Sequence, residues 1–335
     1  MKSRMNPMKR MRLLMMPDNK VVRTATLVFL FLSFLPVTNT VFAAKSKLFE
    51  PTSQEKELMQ ASMVGDLETV ASLLAQTVSV NAHGSYGKTA LMFAVEEGND
   101  EVVNLLISKG ADVDAVTKPG CTALTFAAEG GYLQLTDLLL QKGARTQHKT
   151  RSGWDALMMA VIYNHPEVLK KLITAGANVN TQDKNGNTAL MAAAQRGHRG
   201  IINILLEAGA NTEIRNKDDG SALMVAASHG QIETIKLLLS HGCNIEAQSA
   251  DGSTALFWAS EANQLEVMEL LLKSDANPNH QDVDGSTAVM EAYLQRNFDA
   301  ATMLYRYGAD PTIKDNDGLS GLDYAKKVHE FDKHR

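Results

Sequence analysis

Residues 82–89 read "AHGSYGKT", one substitution from the phosphate-binding pattern G-x-x-x-x-G-K-[ST], with Ala82 where the first glycine would stand. In that pattern backbone N–H groups cradle phosphate oxygens, the lysine neutralises them and the hydroxyl holds Mg²⁺. Val78 and Val80 offer a short alternating run before it, and residues 89–97 a helix-like run after it. On this reading Lys88, in the GKT at 87–89, serves a nucleotide-binding enzyme. Other residues could also do chemistry. Met92, Met158, Met191, Met224 and Met290 share one register, and thioethers meet oxidants or soft metals such as copper(I). Two cysteines, Cys121 and Cys243, and nine histidines complete the set. The motifs H-E-x-x-H, G-x-S-x-G and C-x-x-C do not occur, and the carboxylates show no converging pair.

The elements that must position these residues repeat with a period of 33. Leu91, Leu124, Leu157, Leu190, Leu223 and Leu256 are evenly spaced; Val289 and Leu322 continue the series and Leu58 precedes it. Ala61, Ala94, Ala127, Ala160, Ala193, Ala226, Ala259, Ala292 and Ala325 form a second ladder. Leu73, Leu106, Leu139, Leu172, Leu205, Leu238, Leu271 and Leu304 form a third. A fixed period of this length marks stacked units, each of which buries its apolar faces only against its neighbours. Leu190, Ala193 and Ala194 fall at i, i+3 and i+4, predicting a first helix with one inward stripe. Ile201, Ile202, Ile204, Leu205 and Leu206 predict a second helix sandwiched on two sides. Gly98, Gly131, Gly197 and Gly230 stand where the first helix ends, a place for positive φ. Asn164, Asn263 and Arg296 take that slot elsewhere, and Asp219 and Asp275 replace other turn glycines.

The unit resembles the ankyrin repeat. The copy beginning at Asp183, "DKNGNTALMAAAQRGHRGIINILLEAGANTEIR", has the G-x-T opening, a small-residue helix, a Gly-ended turn, a second helix rich in Leu and Ile, and a "GAN" ending. The resemblance implies an all-α repeat solenoid, each repeat a helix-turn-helix with a β-hairpin-like finger. Seven full repeats would span residues 84–314, between a degenerate N-terminal cap at 51–83 and a truncated C-terminal cap at 315–335. The GKT then becomes the recurring G-x-T, seen again at Gly120–Thr122 and Gly186–Thr188. The family's Thr-Pro-Leu-His opening is here Thr-Ala-Leu-Met, so the methionine row is expected to fill core. Repeats lie roughly 10 Å apart, which keeps successive sulfurs from sharing a metal. Cys121 and Cys243 sit three repeats apart, beyond the about 7 Å reach of a disulfide. Asp183, Asp282 and Asp315 open fingers, where a short carboxylate bonds nearby backbone N–H groups. The resemblance implies a non-catalytic module without cofactor or metal that binds a protein partner.

Residues 1–43 differ from the rest. They hold seven basic residues and one acid, then the uncharged run Leu27–Val37, with Val41 and Ala43 at −3 and −1 of a cleavage site. This is the pattern of a secretory signal peptide, its apolar run short for a comfortable membrane span, which needs about 20 apolar residues. Cleavage after Ala43 takes the net charge from −5 to −11, leaving 26 basic and 37 acidic residues, with 44–50 as a linker to the solenoid at 51–335. Such a chain lacks the basic face that nucleic acid or an anionic membrane requires. The expectation is an exported protein, periplasmic, with no nucleic-acid partner and no membrane insertion after cleavage. Release towards another cell or host, or retention by an uncleaved N-terminal anchor, are the alternatives.

The ankyrin resemblance places recognition on the fingers and the adjoining first-helix ends. Between the fixed Gly and Thr, one slot varies: Lys88, Cys121, Trp154, Asn187, Gly220, Ser253, Ser286. Trp154, read as an exposed aromatic, is the sharpest hot-spot candidate. Lys118, Lys149, Arg151, Lys184 and Lys217 make the middle fingertips basic, and Asp251, Asp282, Asp284, Asp315 and Asp317 make the later ones acidic. At the first-helix ends Glu96, Glu97 and Glu129 give way to Ile162 and Tyr163, then Gln195 and Arg196. The expected surface is therefore centred on repeats two to four. It comprises Lys88, Lys118, Cys121, Lys149, Arg151, Trp154, Ile162, Tyr163, Lys184, Asn187, Gln195 and Arg196.

Overall fold

The structure is a computed structural model and describes residues 51–333; the expected leader (1–43) and linker (44–50) lie outside the described residues. Among the described residues there are seventeen helices, and pairing between extended segments is limited to isolated antiparallel bridges. The helices alternate as first and second members of pairs: α1 (Ser53–Val64) and α2 (Leu67–Ala75), α3 (Ala90–Glu96) and α4 (Asp100–Ser108), α5 (Ala123–Gly130) and α6 (Leu133–Gln141), α7 (Ala156–Ile162) and α8 (Pro166–Thr174). The series continues with α9 (Ala189–Arg196) and α10 (Arg199–Glu207), α11 (Ala222–Ser228) and α12 (Ile232–Ser240), α13 (Ala255–Glu261) and α14 (Leu265–Lys273), α15 (Ala288–Leu294) and α16 (Phe298–Arg306), and ends on α17 (Gly321–Lys333). The described residues divide into an N-terminal unit, 51–193 with 198–211, and a C-terminal unit, 194–197 with 212–333.

Most first helices begin where a hydroxyl or carboxylate caps them; Thr254, before α13, makes no such bond. Thr89 Oγ1 accepts from the Met92 N–H at 3.3 Å, Asp155 Oδ1 from Met158 at 2.9 Å, and Ser221 Oγ from Met224 at 3.3 Å. Burial pushes the Asp155 carboxyl above the usual range, against the pull of that N–H bond. Within each unit first helices pack on first helices, α3 on α1 and α5 in one, α13 on α11 and α15 in the other. Second helices follow the same rule, α8 on α6 and α10, and α14 on α12 and α16. Ala94, Ala127, Ala160, Ala193, Ala226, Ala259 and Ala292 are all fully buried, as close helix approach requires. A larger side chain there overpacks the contact by about 1–3 kcal/mol. The methionine row is buried too, so those side chains are core. Val78 lies in irregular chain and Val80 in a turn, neither in a strand. The alternating run that would feed a phosphate loop does not form one.

The turn slots keep their backbone whatever residue fills them. Gly131 has φ 72°, and a Cβ there would stand 2.5 Å from His165 Nδ1. Asn164, Asn263 and Arg296 adopt φ of 60°, 54° and 62° in the same slot, and Asp219 and Asp275 adopt 61° and 65° in theirs. Asn and Asp tolerate this region; for Arg296 it costs roughly 1–2 kcal/mol.

A further ladder joins consecutive repeats. The residue that starts each second helix reaches back to carbonyls at the end of the preceding first helix. Asn99 Nδ2 donates to Ser62 O and Met63 O at 3.0 and 2.9 Å. Tyr132 Oη donates to Glu96 O at 3.3 Å, and His165 Nε2 and His198 Nδ1 bond Glu129 O and Val161 O at 2.8 and 3.0 Å. In the C-terminal unit Gln231 donates to Gln195 O, Gln264 to Ser228 O, and Asn297 to Ser260 O and Glu261 O. The last carbonyls of a helix have no partner within it, so each repeat satisfies acceptors left open by the one before. This ladder fixes the tautomers of His165 and His198, whose bonded nitrogens must carry the proton.

At the C-terminal end Tyr324 and Val328 pack with Met290 and Leu294, and Tyr324 Oη donates to Asp315 Oδ2 at 2.6 Å. Burial, reinforced by that carboxylate, holds the phenol well above its ordinary pKa. Leu322, which continues the leucine ladder in sequence, is 47% exposed where its equivalents are buried. No described repeat follows to cover it.

Candidate partner-binding surface

The fingers are built from a side-chain turn and a backbone ladder. Asp183 Oδ1 accepts the N–H groups of Asn185 and Asn187, Asp282 those of Asp284 and Ser286, and Asp315 those of Asp317 and Leu319. Thr117 and Thr150 do a similar job through Oγ1, accepting from Cys121 and Trp154. Adjacent fingers then bond through the main chain. The N–H of Lys118 donates to Tyr86 O, that of Arg151 to Pro119 O and that of Lys184 to Ser152 O, at 2.7, 2.7 and 2.9 Å. Lys118, Arg151 and Lys184 are 33 residues apart, so this ladder holds three cations at one register. All three are exposed, and their side chains form no hydrogen bond or ion pair with any described residue.

The slot between Gly and Thr behaves differently from its expectation. Lys88 is turned in: its ammonium pairs with Glu96 and sits 4.5 and 4.6 Å from the Phe93 and Phe126 ring centroids, its side chain 17% exposed. Cation–π attraction and an ion pair together hold it inside the repeat stack, not out towards a phosphate or a partner. Trp154 is half-buried, and its indole N–H donates to Asp183 Oδ2 at 3.3 Å in the next finger. Asn187 Nδ2 shares that carboxylate oxygen at 3.4 Å. Cys121 is half-buried, and Ser253 and Ser286 are fully buried. The expectation of an exposed indole at Trp154 is thus corrected: its side chain stitches two neighbouring fingers.

Of the remaining predicted residues, Lys149 is exposed and its ammonium reaches Gln182 O at 3.3 Å. Ile162 is half-buried and Tyr163 exposed at the end of α7. Gln195 and Arg196 are exposed but fall in the C-terminal unit, where Gln195 Nε2 lies 3.1 Å from His229 Nε2. A groove of about 950 Å³ opens at the start of the N-terminal unit, walled by Met59, Met63, Phe93 and Val116 and edged by Lys56 and Lys118. Tyr86, in the finger turn beside it, is the most exposed of the large apolar residues.

A family model described as ankyrin repeats (3 copies) matches residues 44–117, 113–183, 157–249 and 223–315. The chain belongs to the ankyrin-repeat family. No curated protein is similar enough to register as a match. Ankyrin repeats are in general protein–protein interaction modules.

Within this ankyrin array the ladder from Asn99 to Asn297 supplies side-chain bonds between consecutive repeats. Sequence reasoning did not find that ladder because Asn, Tyr, His and Gln share no look, only a donor and a 33-residue spacing. It also did not find the groove, whose walls come from α1, the first ankyrin finger, α3 and the start of the second finger. Both thiols are free; burial raises the Cys243 thiol above its ordinary range.

Proposed function

We propose that the chain is a non-catalytic scaffold that binds a protein partner on the finger side of its N-terminal unit. One observation carries the reading: Lys118, Arg151 and Lys184 are exposed, equivalently placed and unpaired, on a backbone held by main-chain bonds. A rigid frame with uncommitted side chains loses little entropy on binding. Tyr163, exposed at the end of α7, adds an aromatic contact on the same unit. The leader-like residues 1–43 support export, with the periplasm as the compartment.

Capture tests the reading. The chain from Ala44 is immobilised, exposed to an extract of its native compartment, and compared with the Lys118→Glu, Arg151→Glu and Tyr163→Ala variants. A partner retained by the wild type and lost by the variants supports it. A partner retained equally by all of them ends this surface assignment, and capture of nothing ends the scaffold reading. N-terminal sequencing of the exported protein tests the leader, with Ala44 as the expected first residue.

A further inference from the structure

The groove and the fingertip cations form one track, because Lys118 belongs to both: it edges the groove and begins the row that continues through Arg151 and Lys184. We propose that this track takes an extended segment of a partner protein, with an apolar anchor followed by acidic side chains at three-residue intervals. The inference rests on the scaffold reading and specifies its ligand.

The apolar end follows from Met59, Met63, Phe93 and Val116, which line the groove, with Val116 50% and neighbouring Tyr86 73% exposed. Exposed apolar side chains gathered at one concavity mark a recognition site more often than an accident of surface. Among the described residues no carboxylate lines this groove, although the whole chain carries a net charge of −5. The spacing follows from the fingers. Packed repeats advance roughly 10 Å each, and an extended chain advances about 3.3 Å per residue. Every third residue therefore meets the next cation. Asp183, next to Lys184 in sequence, keeps its charge but forms no ion pair with the row; its oxygens accept from the Asn185 and Asn187 N–H groups and the Trp154 indole. Glu97 and Glu129, at the ends of α3 and α5, add negative charge to the same unit, and a contiguous acidic run meets a cation only at every third residue.

The probe is a fluorescent peptide of about twelve residues, Leu-Phe followed by Asp at every third position in a Gly-Ser background. Its anisotropy is read against the chain from Ala44. Controls carry the same residues with the aspartates contiguous, or Gly-Ser in place of Leu-Phe. The expected result is saturable binding of the spaced peptide and weaker binding of both controls. The triple variant K118E/R151E/K184E should lose at least about tenfold in affinity, with an unchanged circular dichroism melt because all three side chains are exposed. Val116→Asp should lose the apolar contribution, and about 0.5 M salt should weaken the rest. Equal binding of spaced and contiguous peptides, binding indifferent to the variants, or no binding near 1 mM each overturns the proposal. So does binding that emerges only when residues 44–50 are removed, or sedimentation showing self-association that the triple variant abolishes; the occupant is then the chain itself. A captured native partner that still binds the triple variant removes this inference and leaves the scaffold reading standing.

Discussion

The fingers of the two units share a backbone and differ in charge. In the N-terminal unit the N–H that bonds the preceding finger belongs to Lys118, Arg151 or Lys184. In the C-terminal unit the equivalent bonds are made by Val283 to Asp251 O and Asn316 to Asp284 O, at 2.9 and 3.0 Å. Lys217 is the last cation at this register; Ala250, Val283 and Asn316 follow it, and the residue next to each is Asp251, Asp284 or Asp317. The acids are close enough to matter. Burial, with help from Asp284 and Asp251, pushes Asp282 up to about 6 against the Ser286 and Asp284 N–H groups that hold its charged form. Main-chain bonds thus set finger shape, while side chains at the tip are free to differ. Recognition chemistry belongs at the tips, and what is common to both units is structural.

The comparison breaks if the common parts are not equally structural. Leu139 and Leu271 are fully buried at the same register of the two units. Replacing either by Ala should cost about 2–5 kcal/mol in urea unfolding, whereas Lys118→Ala should cost nothing measurable. Asn99→Ala and Asn297→Ala each open two carbonyls and should cost about 1–3 kcal/mol; no change would remove the clamp ladder from the frame.

The charge difference is sharpened by pH. Because the folded Asp282 carboxyl titrates at about 6 and an unperturbed one at 3.8, the folded state holds its proton longer. Stability from this group therefore falls as pH rises from about 4 to about 6, and the penalty is complete above that. Asp282→Asn should gain on the wild type across that window and match it near pH 4. Melting curves at both pH values check this, and a constant difference contradicts it. The smallest effect concerns Lys88. Lys88→Gln should cost about 1 kcal/mol or less, from one cation–π site and one ion pair. Added nucleotide should leave the melt of either protein where it was.

Much of the frame was legible because its residues are invariant: alanine and leucine recur in fixed register, and a helix interface of one geometry admits few sizes. The left-handed turns were legible even through Arg296, since the period located the slot before the residue was considered. The clamp was hidden because side chains of four kinds span the same gap. The site was only partly legible. Residue type and spacing located the row Lys118, Arg151 and Lys184 but not the direction of Lys88 and Trp154, which depends on the surroundings: Phe93 and Glu96 of α3 and Phe126 of α5 for one, Asp183 of the next finger for the other.

The central claim is that binding uses the tips and groove of the N-terminal unit and leaves the common frame untouched. Hydrogen–deuterium exchange of the chain with and without its captured partner tests it most directly. The account predicts added protection at residues 116–119, 149–152 and 182–185 and along the groove at 83–87, with the outer helices α4, α6 and α8 unchanged. Protection confined to those outer helices, or to the acidic fingers at 250–252 and 283–285, would contradict it.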